Sequence, residues 1–240
     1  MALIFSILFF LTFISGISVR YIGITSSNIK NPLIFAGSFL FSITIIHILP
    51  EVFTLAEDPM IIGLWVLGGF FFQQFLEHLT AGVEHGHFHS HGEISASFKT
   101  SLLIGLTIHS LLEGALLTHD SPFHEKHESY SLLLGIVLHK MPAAFALMAT
   151  VVGGGKFKAS SWMILILFSL ASPLGLLMSD QILALSEPTL FYLFGFVSGS
   201  FLHISTTIFV ESSPEHRFAW RKILISLLGA STAIFVEFVL

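Results

Sequence analysis

Long apolar runs recur along the chain, separated by short polar breaks. Eight can be drawn, at 2–19, 33–50, 60–78, 100–118, 130–151, 159–179, 188–210 and 221–239. Each approaches the length of about 20 apolar residues that a helix needs to cross a bilayer. The breaks fall where helices stop: at Asn31-Pro32, Asp58-Pro59, a histidine-rich stretch over 84–92 and a polar stretch over 119–129. Others are Gly153-Gly154-Gly155, Glu187-Pro188 and the polar run from Glu211 to Arg217. The pattern predicts an all-α polytopic membrane protein of eight transmembrane helices, forming one domain over 1–240. A loop over 81–99 joins the third and fourth spans. The first run has no basic residue ahead of it, and Arg20 follows it, so it reads as a true span and not as a signal peptide.

Composition agrees with a chain whose solvent is lipid. Of 240 residues, 54% are hydrophobic and 10% charged, against about 25% charged in soluble domains. Cysteine is absent, which removes disulfides and thiolate ligands. A formal charge of −5 gives no reason to expect a nucleic-acid partner, and no prosthetic group is expected. Arg20, Lys30, Lys99, Lys156, Lys158, Arg217, Arg221 and Lys222 fall in odd-numbered loops, whereas even-numbered loops hold only Lys126. Basic residues mark the cytoplasmic side, so odd loops are expected inside and both termini outside. A compact chain of this kind suits a bacterial inner membrane. Thirteen histidines outnumber the ten lysines and arginines together, and their placement carries the chemistry.

His109 and Glu113 stand four residues apart in the fourth span, on one face of a helix. A charge near mid-membrane costs at least about 2.5–3.5 kcal/mol on insertion scales, so such residues mark function by default. His139 lies at similar depth in the fifth span, and antiparallel pairing of these neighbouring spans would bring it opposite the other two. Two imidazoles and a carboxylate form a borderline-soft set suited to zinc, and also to iron(II), manganese(II) or cobalt(II), better than to calcium or magnesium. Pro142 frees the carbonyl of Leu138 from its helical bond. Lys140, beside His139, either pairs with an acidic group such as Glu113 or snorkels or neutralises.

Further histidines lie outside this set. His85, His87, His89 and His91 alternate through the third loop, where flexible neighbours would let them fold around an ion as a buffer or sensor. His119, His124 and His127 accompany acidic residues in the outer segment, which reads either as a metal-gathering mouth or as a polar turn. His47 with Glu51, and His203, are buried candidates along a path, with hydrogen-bonded packing favoured for His203. Glu77, His78 and Glu211 stand near the cytoplasmic ends, where they would assist release. Gly195 and Gly199 are spaced for close helix approach, read as packing within the chain.

"HSLLEG" followed one span later by "HKMP" resembles the paired signature of the ZIP (Zrt/Irt-like) family of divalent-metal transporters. "HILPE" at 47–51 and "GSFLHISTTIFVE" at 199–211 also resemble family segments. The resemblance implies a bundle of spans 1, 4, 5 and 6 that carries metal against a scaffold of spans 2, 3, 7 and 8. It also implies uptake toward the cytoplasm with alternating access, and often a homodimer. Members with two metals place a further ligand where this chain has Ala143, and ligands of the second metal where it has Ser110, Lys140 and Ser172. A single metal is therefore expected, with the Lys140 ammonium standing in for the second ion. The rival expectation is an intramembrane zinc-dependent hydrolase that uses the same residues to activate water. The chain has no H-E-x-x-H motif to support it.

Overall fold

The computed structural model describes residues 2–22, 26–80, 83, 96–117, 128–152, 157–183, 187–211 and 220–239. His85, His87, His89, His91, His119, His124 and His127 lie outside these residues, as does the side chain of Glu211. Among the described residues every regular element is helical: α1 (Ala2–Ser18), α2 (Ser26–Ile43), α3 (Leu49–Leu55), α4 (Pro59–Thr80), α5 (Ala96–Ala115), α6 (Glu128–Val152), α7 (Ala159–Leu177), α8 (Glu187–Glu211) and α9 (Trp220–Val239).

α2 and α3 form one continuous rod through a widened, π-helical turn at Thr44–Ile48. Pro50 stands just beyond that turn, in the first turn of α3. A proline has no N–H to give and its ring collides with the carbonyl four residues back, so a regular helix would break there. Widening the preceding turn lets the rod continue to Leu55, past the end expected at 50. With α2 and α3 taken together, the eight predicted runs correspond to eight described rods. Six segments are long and apolar enough to cross a membrane: Lys30–Leu55, Pro59–Thr80, Ser131–Val152, Ala159–Asp180, Pro188–Phe209 and Trp220–Val239. α1 is a shorter apolar helix of 17 residues, and Lys99, His109 and Glu113 interrupt the apolar run of α5.

The distribution of side chains is that of a protein dissolved in lipid. Leu64, Phe71 and Phe75 on α4 are exposed, as are Leu224, Leu228, Phe235 and Phe238 on α9. Gln73, His109, Glu113, His139 and Lys140 are buried. Apolar surface faces outward and ionisable groups face inward, which only a hydrocarbon solvent favours.

Small residues set the helix contacts that position the interior. α5 packs on α7 and α4. A methyl group added at Gly114 would strike the carbonyl of Ser172, and one added at Gly175 would strike that of Leu111. α5 and α7 therefore cross backbone to backbone, as small residues permit in membranes. This differs from the expected side-by-side pairing of the fourth and fifth spans. α6 instead packs on α1, α2 and, more lightly, α7, so α7 contacts both of the helices that carry the polar residues. Gly199 likewise meets the carbonyl of Val66, which makes α4–α8 an intramolecular seam. One apolar core joins Phe39 and Ile43 of α2 to Ile136 of α6 and Phe201 of α8. A second joins Leu102 and Leu106 of α5 to Leu147 of α6 and to Leu165 and Phe168 of α7.

Candidate metal site

His109 and Glu113 project from α5 one turn apart, and His139 reaches them from α6. One ligand atom from each of the three lies within 4.8 Å of the other two, and all three side chains are buried. His109 Nε2 stands 2.9 Å from Glu113 Oε1. The two imidazole rings meet edge to face, with centroids 5.9 Å apart. His139 Nδ1 is buried with no hydrogen-bond partner among the described residues. An ion bound about 2.0–2.1 Å from each of three ligands in tetrahedral geometry needs them about 3.4 Å apart. Side-chain adjustments of about an ångström therefore suffice to close the set on an ion.

Gln73, on α4, was not among the residues singled out by sequence. Its Oε1 lies 3.1 Å from His109 Nδ1 and accepts a 2.8 Å hydrogen bond from Ser200 Oγ on α8. With Oε1 as acceptor, Nδ1 of His109 carries the proton and Nε2 presents its lone pair. That lone pair then faces a carboxylate oxygen 2.9 Å away, an arrangement that a cation between or beside the two atoms makes favourable. A partner that fixes the second ring nitrogen in this way is what a metal-ligating histidine requires.

Lys140 is as buried as its neighbours, at 1% exposure, so it does not snorkel. Its ammonium donates to Ser172 Oγ at 2.6 Å, and that hydroxyl donates to the Ser110 carbonyl at 2.9 Å. It lies 4.0 Å from Glu113 Oε2 and 4.5 Å above the ring of Phe168. Ser110, Lys140 and Ser172, scattered in sequence over three helices, thus meet beside Glu113. Ala143 is buried and offers no ligand atom.

The remaining sequence candidates divide between the two ends of the bundle. Glu77 on α4 and His203 on α8 pair directly at 2.5 Å. Thr207 Oγ1 lies 3.5 Å from the same ring nitrogen, and Phe70 meets the ring edge to face. Glu77 is one helical turn from Gln73, and His203 one turn from Ser200, so polar groups continue along the α4–α8 seam from the central cluster. His78 is exposed on α4, away from this interior. At the other end, His47 sits in the π-helical turn with Nε2 3.6 Å from Glu51 and Nδ1 2.7 Å from Glu237 of α9. Glu237 was missed because nothing local in the sequence ties the end of α9 to α2.

No protein-family model matches the chain, and no curated protein matches it either.

Proposed function

We propose that this protein moves divalent metal cations, zinc foremost, across the membrane through a single site formed by His109, Glu113 and His139. The resemblance to ZIP transporters supplies the class. The observation that carries the reading is the convergence of two imidazoles and one carboxylate in a buried cluster, with His109 oriented by Gln73. The set contains nitrogen and oxygen donors and no sulfur, which suits zinc, iron(II), manganese(II) or cobalt(II) and favours release as well as binding.

Charge explains how such a site serves transport. Without cargo, Glu113 faces the Lys140 ammonium at 4.0 Å, and the pair is close to neutral in a medium where an isolated charge is costly. When the ion arrives, the carboxylate exchanges its distant ammonium for a directly bonded cation. Lys140 keeps its bond to Ser172, and its charge repels a second divalent ion from the adjoining position. One ion per cycle follows. In this reading α1, α5, α6 and α7 carry the site against α2, α3, α4, α8 and α9, with uptake toward the cytoplasm and both termini outside. The Glu77–His203 pair receives the ion along the α4–α8 seam. His47, Glu51 and Glu237 flank the opposite mouth. A hydrolase would need a general base besides the ligands, and Glu113 is the only carboxylate in the trio.

Uptake of radiolabelled zinc into proteoliposomes tests the proposal. The wild-type chain is expected to load the vesicles above the protein-free background, and Glu113→Ala to fall to that background. Equal flux in the two would remove transport from these residues.

A further inference from the structure

A crevice of about 650 Å³ opens between α1, α2, α6 and α9, with an almost wholly apolar lining that includes Ile14, Phe35, Leu138, Met141, Phe145 and Ile225. Two serines also face it, and both hydroxyls are already engaged. Ser15 donates to the Met141 carbonyl at 2.5 Å and Ser18 to the Ser15 carbonyl at 2.6 Å. Both serine hydroxyls are thus spent within the protein. Along α6 it runs from Leu138 to Phe145, a depth of about 10 Å at 1.5 Å per residue. One leaflet of hydrocarbon is about 15 Å thick, so the depth fits a single acyl chain.

The rim says which lipid. Ile22 and Asn31 line one end of the crevice, and that end carries Arg20 after α1, Lys30 in α2 and Arg221 in the first turn of α9. Arg20 and Arg221 are exposed, and the first turns of α2 and α9 contain no acidic residue. Tyr21 and Trp220, 78% and 68% exposed beside these cations, are the aromatic residues that settle at headgroup level. Lys222 is committed elsewhere, donating to the Phe209 carbonyl of α8. Basic residues at helix ends orient membrane proteins in general. Here they border the mouth of an apolar crevice on three of its helices. We propose that this crevice binds an anionic phospholipid, one acyl chain between the helices and the phosphate against Arg20, Lys30 and Arg221. The crevice lining includes Leu138, Met141 and Pro142 on either side of His139 and Lys140 but none of the His/Glu cluster itself, and the proposal does not depend on the transport reading.

The test uses the full chain purified with an equimolar mixture of phosphatidylglycerol and phosphatidylcholine bearing identical palmitoyl and oleoyl chains. Native mass spectrometry is expected to find phosphatidylglycerol retained over phosphatidylcholine. A cation near a membrane surface contributes a factor of about five per residue toward an anionic headgroup. The preference should therefore collapse stepwise through Arg20→Gln, Lys30→Gln and Arg221→Gln, and Ile14→Trp, which fills the crevice, should lower retention of both lipids. In parallel, phosphatidylglycerol with a diazirine on its acyl chain is reconstituted with the wild-type protein and photolysed, which requires no variant to fold. Labels are expected within residues 14–22, 31–35 and 138–145. Equal retention of the two lipids by the wild type would overturn the proposal, as would labels confined to other segments.

Discussion

Two of the histidine–glutamate contacts in this bundle are built differently. At the α4–α8 seam, His203 Nε2 and Glu77 pair at 2.5 Å, and Glu77 keeps 19% of its side chain exposed. At the centre, His109 and Glu113 approach to 2.9 Å with His139 beside them and almost no exposure. At the first contact the carboxylate takes one ring nitrogen, and the other, Nδ1, is buried with no hydrogen-bond partner among the described residues. At the second, a ring lone pair of His109 faces a carboxylate oxygen, with a second imidazole and a lysine close by. Proximity of imidazole and carboxylate therefore does not by itself make a metal site. In the proposed reading, the third ligand His139 and the outer partner Gln73 are what set the central cluster apart.

The comparison is broken most severely by removing the shared carboxylate. Glu113→Ala is expected to weaken zinc binding more than about 100-fold, because even partners outside the ligand shell cost 10–100-fold. Equilibrium binding followed with a competing zinc-sensitive dye reads the change. Gln73→Leu removes the group that orients His109 and should cost about 10–100-fold in affinity while leaving stoichiometry at one. A loss of stoichiometry without a change in affinity would show that Gln73 does not act through the ring.

Lys140→Asp turns the guarding cation into a ligand. It is expected to admit a second ion, so that zinc bound per chain, measured by elemental analysis after gel filtration, rises from about one toward two. Unchanged stoichiometry and uptake would leave Lys140 with no role as a stand-in for metal. The smallest effect belongs to the Glu77–His203 pair. Glu77→Gln should leave zinc affinity at the centre within about twofold, since an amide preserves the contact with His203 and touches no ligand. A tenfold loss would mean that the α4–α8 seam contributes to the central site directly.

The local features of this architecture were legible in the sequence. Span limits followed from proline, glycine and polar breaks, and His109 with Glu113 followed from helical spacing in an apolar run. The exact course of the second rod was not legible, because Pro50 reads as a stop unless a widened turn is known to precede it. Gln73 was hidden for a different reason. It stands beside Gln74 in a run of phenylalanines, and only the crossing of α4 with α5 and α8 determines which amide turns inward. Glu237 was equally hidden, since its contact with His47 joins residues far apart in the chain. The pairing of α5 with α7 depends on Gly114 and Gly175, two glycines unremarkable in sequence until their helices meet. Short-range spacing was visible, and the packing that supplies the outer partners was not.

The central claim is that His109, Glu113 and His139 together hold one divalent ion. X-ray absorption at the zinc edge of the zinc-loaded protein addresses it most directly. A deletion of residues 84–92 is used as the sample, so that the histidine-rich stretch contributes no signal. The account predicts one zinc per chain with two imidazole nitrogens at about 2.0–2.1 Å and the remaining ligands oxygen, reduced to one imidazole in His139→Ala. A spectrum with no imidazole scattering, or one unchanged by His139→Ala, would contradict it.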